Sequence, residues 1–288
     1  MKNAMQLKAL VKNLAAEKGA PAQTILQNYM LERLLERVSL SRFRSQFILK
    51  GGFLIAAIVG HDTRTTMDMD ATLRGLPVSP ESIRNIFGEI CGIQIDDGIS
   101  FRILNVRDIR EDDIYGGVRL ALAADFPPMA VKLKVDITSG DKITPKEVEY
   151  QFPLMLEKRT IQVMAYNLET ILAEKLETIL SRGIYNTRPR DYYDVYILAK
   201  LQGDNISMES LLMALHATAE KRGTLAVVKD YASALAEIRA DPQMNRQWLR
   251  YQAEYPYAAG IVFEDTCIAA EAVLKQSGIH NLNEVFSE

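Results

Sequence analysis

Residues 48–75 read ILKGGFLIAAIVGHDTRTTMDMDATLRG, and this stretch constrains the fold more than any other in the chain. A short apolar segment ends at Lys50 and a double glycine, Gly51 and Gly52. The apolar run FLIAAIV that follows reads as a buried helix beginning at Phe53. MDMDATL then alternates as a strand, with Asp68, Asp70 and Thr72 on one face and Met67, Met69 and Ala71 on the other. Two carboxylates at i and i+2 of a strand point the same way, roughly 7 Å apart. Such a pair suits a hard divalent cation such as Mg²⁺, or Mn²⁺ in its place, which binds through one or two carboxylates plus substrate phosphates. The glycines let backbone approach a ligand closely, and a helix starting behind them turns its free N–H groups toward an anion. A D-x-D pair alone is usually a solvated strand face, and Gly-Gly alone is usually a plain turn. The order strand, Gly-Gly, helix, D-x-D strand is far more specific than either part.

Two later stretches extend this pattern. AVKLKVDITSGD alternates so that Val131, Leu133, Val135 and Ile137 face a core while Lys132, Lys134 and Asp136 face the other way. By itself Asp136 would merely offset the two lysines. Beside Asp68 and Asp70 it reads as a third carboxylate, holding metal or accepting the proton of an attacking hydroxyl. NLETILAEKLETILSRG then reads as a helix capped by Asn167, with Lys175, Thr178 and Arg182 on one stripe. Without context that stripe is a solvated charged face; with context, its cations could neutralise a triphosphate. In NTRPRDYYDVYILAK, Pro189 cannot lie inside a helix, so a new one starts near Asp191, with Asp194 one turn further on. Tyr192, Tyr193 and Tyr196 read as packing residues.

The rest of the chain sets bounds. Leu7, Leu10, Val11 and Leu14 mark an amphipathic helix that Gly19 ends, and Pro21 is placed to sit in the first turn of a second helix. FRILNV and GVRLALAADF are strand-like, and helical periodicity dominates after Asn167. The net charge of −3 gives no global basic field, so any polyanion site must be a local patch. Cys91 and Cys267 have no metal-type spacing, and two lone thiols fit a reducing cytoplasm. The lysine-interrupted N-terminus is not a signal peptide, and no apolar run spans a membrane. The expected fold is α+β: N-terminal helices over residues 1–40, an α/β core over 41–165 and a helical part over 166–288.

Taken in order, LKGG…RTTMDMDATL, KVDITSGDKITP, AEKLETILSRG and RPRDYYDVYIL resemble the AbiEii/AbiGii toxin family of nucleotidyltransferases, from about Phe47 to Leu198. The resemblance implies a polymerase-β-like nucleotidyltransferase core with a helical C-terminal domain. It implies the toxin of a bacterial toxin–antitoxin pair, with a cognate antitoxin as partner and a role in phage defence through growth arrest. It also implies a nucleoside triphosphate substrate and an RNA acceptor, with the 3′ end of tRNA as the acceptor in some relatives. On this basis Asp68, Asp70 and Asp136 are the metal ligands, and Lys175 and one of Asp191 or Asp194 complete the catalytic set, Asp191 being preferred. Lys50, Gly51, Gly52, Thr66, Lys175, Arg182 and Asp194 are the nucleotide-binding candidates. The wider superfamily has Gly-Ser where this chain has Gly51 and Gly52, so Thr65 or Thr66 would have to supply the missing hydroxyl. Two other functions use the same residues: a kinase-like phosphotransferase attacking the γ-phosphate, and a non-catalytic effector that binds nucleotide or RNA. Four acids at the proposed site favour chemistry, because RNA binding alone would avoid them.

Overall fold

The computed structural model describes residues 3–60, 63–109 and 116–281. The chain divides into two compact units, one formed by Met1–Asp141 with Glu147–Tyr166 and the other by Lys142–Lys146 with Asn167–Glu288.

The first unit opens with α1 (Ala4–Lys18) and α2 (Ala22–Leu40). Pro21 stands one residue ahead of α2, as its N-cap, because its fixed φ suits the extended residue that precedes the first turn. Next come β1 (Phe47–Lys50), α3 (Gly51–Val59), β2 (Met69–Leu73) and α4 (Pro80–Gly92). A reciprocal capping box between Ser79 and Ser82, with Pro80 in the first turn, starts α4. The unit closes with β3 (Ser100–Ile109), β4 (Gly117–Phe126), β5 (Met129–Ser139), β6 (Val148–Pro153) and β7 (Thr160–Ala165). These strands form one mixed sheet in the order β3-β4-β5-β2-β1-β7-β6. The pairs β2–β5 and β1–β7 are parallel and the others antiparallel.

Alternation decides the two faces. Leu120, Leu122 and Ala124 of β4 and Val131, Leu133, Val135 and Ile137 of β5 are buried, and Met69 and Ala71 of β2 join them. Burying one such aliphatic side chain contributes about 1.5–3 kcal/mol, so this face holds the sheet to its helices. α3 is apolar on nearly every side, and Phe53, Leu54, Ile55 and Ala56 are fully buried. α2 buries charge as well as apolar surface. Arg37 forks onto Asp97 at 2.8 and 3.0 Å and donates to the carbonyls of Ile93, Ile99 and Arg33. Glu32 accepts from the Met155 amide, and burial pushes its carboxyl up to about 8.

The second unit is helical: α5 (Leu168–Arg182), α6 (Pro189–Gln202), α7 (Met208–Arg222), α8 (Leu225–Lys229), α9 (Tyr231–Ala240), α10 (Pro242–Glu254) and α11 (Phe263–Ser277). Asn167 caps α5 by accepting from the Thr170 amide at 2.7 Å, and its side-chain amide donates to the carbonyls of Thr144 and Lys146. Pro189 sits in the first turn of α6, so that helix begins two residues before Asp191. Trp248 anchors an aromatic cluster with Tyr251 and Phe263, and its indole N–H donates to the Ile261 carbonyl at 2.8 Å. No helix among the described residues is long and apolar enough to cross a membrane.

Candidate active site

The sheet register brings four charged residues into one row across four neighbouring strands. Lys50 of β1 lies opposite Asp70 of β2, Asp70 lies opposite Asp136 of β5, and Asp136 lies opposite Arg119 of β4. Neighbouring strands are about 4.8 Å apart, so the two central carboxylates are held close on one face. Arg119 forks onto Asp136 with hydrogen bonds of 2.8 and 2.7 Å. Asp68 falls one residue ahead of β2 rather than inside it. Its carboxylate still reaches the same face, where it pairs with Lys134 at 2.6 Å. Lys50 is engaged elsewhere: its ammonium lies 2.6 Å from Asp141 and 2.8 Å from the Thr138 hydroxyl, over the Tyr166 ring.

The double glycine lies inside the helix it was expected to precede. α3 begins at Gly51 itself, two residues before Phe53. Gly51 has φ +70°, a left-handed conformation that a side chain disfavours. A Cβ placed there would lie 2.2 Å from Asp70 Oδ2. The glycine is therefore what allows the Asp70 carboxylate to rest against the start of α3. At Gly52 a Cβ would lie 3.1 Å from both Arg64 Nη2 and Thr66 Oγ1. Of the two threonines expected to supply a hydroxyl, Thr66 is the one beside the glycines, and Arg64, buried, is there with it. No side chain caps α3 at Lys50. Uncapped first-turn amides together with a guanidinium form an anion-binding arrangement.

The donor chemistry at Asp68 and Asp70 is all oxygen, which fits a hard divalent cation whose other ligands come from phosphates and water. The expected three-acid cluster does not form: no group of three acidic, histidine or cysteine side chains among the described residues is placed to hold a metal ion. In this structure Asp136 is paired with Arg119 and Asp68 with Lys134. Asp141 was missed from the sequence because strand alternation stops at the turn that carries it. Its burial alone would raise its carboxyl, but the Lys50 charge and hydrogen bonds from Lys50 and Thr138 outweigh that and bring it down to about 2. The one available signal was the SGD turn closing β5, which returns an acid to the strand's polar end.

In the second unit, Lys175 of α5 sits between two acids of α6, 2.8 Å from Asp191 and 2.7 Å from Asp194. Burial would depress its ammonium, but the two carboxylates outweigh that and raise it above the ordinary lysine value. Asp194 is fully buried and pairs with Lys175. The stripe below Lys175 is also engaged, with Thr178 donating to the Glu174 carbonyl and accepting from Arg222. Arg182 occupies the last turn of α5, where a cation complements the carbonyl end of the helix.

No curated protein matches this sequence. Among solved structures, a presumed nucleotidyltransferase from H. pylori superposes with a TM-score of 0.52 at 15% identity, over 92% of this chain and 98% of that one. JHP933 from Helicobacter pylori superposes with a TM-score of 0.53 at 16% identity, over 92% of this chain and 95% of that one. At this identity the likeness establishes the shared fold, a nucleotidyltransferase core with a helical C-terminal part. The sequence itself matches the model of the AbiEii nucleotidyl transferase toxins of type IV toxin–antitoxin systems over residues 33–272. That match covers most of the chain and contains both the Asp70 row and the Lys175 cluster, and it makes this protein a member of the AbiEii toxin family and a nucleotidyltransferase.

Proposed function

We propose that the row built on Asp70 transfers a nucleotide from a nucleoside triphosphate to a hydroxyl of an RNA acceptor, the 3′ end of a tRNA being the leading acceptor. The observation that carries this reading is the Asp70 carboxylate seated against Gly51 at the uncapped start of α3. An acid and a phosphate-binding helix start are thereby placed side by side. In this reading Asp68 and Asp70 hold Mg²⁺ or Mn²⁺, which supplies Lewis acidity at the transferred phosphate and lowers the cost of the charge that develops there. The first-turn amides of α3, with Arg64 and Thr66, bind the phosphates and orient them. Lys134, which pairs with Asp68 in this structure, is the cation placed to turn toward phosphate when Asp68 engages a metal. Asp136, fixed in position by the Arg119 fork, accepts the proton of the attacking hydroxyl. The hydroxyl oxygen forms its bond to the α-phosphorus, the bond to the bridging oxygen breaks, and pyrophosphate leaves. Lys50 serves by anchoring the end of β1 to Asp141, which fixes where α3 starts.

For the second unit we propose that Lys175, Asp191 and Asp194 act first as one ion-paired cluster joining α5 to α6. Transfer of a nucleotide onto tRNA would block translation, and we take growth arrest during phage infection to be the biological outcome, relieved by the cognate antitoxin. The test is incubation of the protein with total tRNA, Mg²⁺ and each nucleoside triphosphate in turn, labelled at the α or the γ position. α-label on RNA is the expected result. γ-label would make the enzyme a kinase, and no label would leave a binding effector.

A further inference from the structure

The second unit carries a cleft of about 720 Å³ that the Asp70 chemistry does not involve. It is lined by the start of α6 and by one face of α10. Arg188 and Arg190 come from α6, and Arg246 and Arg250 come from α10, where a spacing of four places both on the same side. Glu254 is the one acid among the lining residues, so the cleft has a surplus of positive charge in a chain whose net charge is −3. None of the four arginines forms an ion pair with a described residue, whereas arginines elsewhere in the molecule, such as Arg37, Arg119, Arg222 and Arg239, are paired. Four like charges gathered beside a single carboxylate repel one another, and an arrangement of this kind is suited to a polyanion that supplies the missing counter-charge. The same wall holds the N-terminus of α6, which has Pro189 in its first turn and no side-chain cap at Arg188. Helix polarity and guanidinium charge therefore favour the same sign of ligand.

Aromatic surface adds a second requirement. Tyr251 and Tyr255 also line the cleft, and their rings pack at 4.8 Å, Tyr251 buried and Tyr255 half-exposed. Arginines that track phosphates beside a ring that can stack on a base are the combination by which proteins hold single-stranded nucleic acid. An acidic protein partner would use the charge but would have no need of the ring. We propose that the cleft of α6 and α10 is a binding site for a single-stranded RNA segment, with Arg188, Arg190, Arg246 and Arg250 on successive phosphates and Tyr255 stacked on a base. This rests on the proposal above that the acceptor is RNA, and it assigns the residues that hold it.

The test reads binding and not turnover, so it stands or falls apart from the transfer chemistry. Fluorescence anisotropy of a labelled 12-nucleotide RNA strand is followed against the full-length protein over a range of KCl concentrations. Four phosphate contacts predict a log–log salt slope of about −2.8 for a single strand. The double variant Arg246→Gln/Arg250→Gln should halve the slope, and binding at 0.1 M KCl should weaken about 25-fold. Tyr255→Ala should weaken binding roughly 5- to 150-fold and leave the slope unchanged, because stacking releases no counterions. The double variant should keep the wild-type melting temperature, since Arg246 and Arg250 are exposed and unpaired, whereas Tyr255→Ala gives up ring packing on Tyr251 and Tyr257 and is therefore measured well below its own melting temperature. Wild-type affinity and slope in the double variant would overturn the assignment. So would displacement of the RNA by polyglutamate of equal charge together with no effect of Tyr255→Ala, which would make the cleft a seat for an acidic protein.

Discussion

Replacing Gly51 with alanine tests whether the seating of Asp70 matters, and the structure gives the size of the effect. An alanine held at φ +70° costs about 1–2 kcal/mol relative to glycine. Its Cβ would also stand 2.2 Å from Asp70 Oδ2 and 2.7 Å from Asp70 Cγ, contacts that require a shift of about 1 Å. The softest response is rotation of the Asp70 side chain off its rotamer, at about 0.5–1.5 kcal/mol. The sum is a destabilisation of about 1.5–3.5 kcal/mol, within what a folded protein of this size tolerates. The catalytic effect should be larger in proportion, since a reacting group misplaced by about 1 Å loses about 100-fold in rate. Gly52→Ala is the control. Gly52 is not in the left-handed region, and its Cβ would meet only the ends of two side chains at 3.1 Å, which can give way. Urea unfolding and α-label transfer should be measured on both variants. If Gly51→Ala unfolds and turns over like wild type, the close approach of Asp70 to α3 has no role.

Three further outcomes follow from the ion pairs. In the second unit, Lys175→Ala leaves two buried carboxylates facing each other and should cost about 3–5 kcal/mol, more than either acid variant. Asp194→Ala should come next and Asp191→Ala last, because either leaves Lys175 with one partner and only Asp194 is fully buried; urea unfolding gives the ranking, and Lys175→Ala as stable as wild type would refute it. Asp141, held down to about 2 against an ordinary 3.8, contributes stability that is complete above about pH 4 and lost as the pH falls toward 2. That contribution is about 2 kcal/mol, so the gap in unfolding free energy between wild type and Asp141→Asn should close over that range. A gap that does not change with pH would mean that the Lys50–Asp141 pair is not the source.

What the sequence revealed and what it concealed have physical reasons. Strict alternation in AVKLKVDIT was enough to place Asp136 on the polar face of β5, and Asn167 and Pro189 marked helix starts because capping and a missing N–H are local effects. The strands β6 and β7 were not legible: VEYQFP and TIQVMA are short, and β7 takes its place only by pairing in parallel with β1, a long-range contact. The second helix was legible as a helix, but not that Glu32, Arg33, Glu36 and Arg37 are all buried in it. Nothing local distinguishes them from a solvated face, since their partners Asp97, Met155, Glu157 and Arg159 lie far along the chain. At the site, the sequence showed which acids share a face but not which cations would claim them. Ion-pair choice depends on register, and register is fixed by the whole sheet.

If Asp70 does chemistry rather than structural work, its removal should separate activity from stability. Asp70→Ala should be purified and compared with wild type in both thermal unfolding and α-label transfer from nucleoside triphosphate to tRNA with Mg²⁺ present. Asp70 is a single half-buried side chain at the edge of the site, so Asp70→Ala should stay folded and unfold cooperatively, losing no more than about 1–2 kcal/mol. Transfer should fall by at least about 1,000-fold, since a metal ligand contributes several kcal/mol to the transition state. Transfer at the wild-type rate by a folded Asp70→Ala protein would contradict the account.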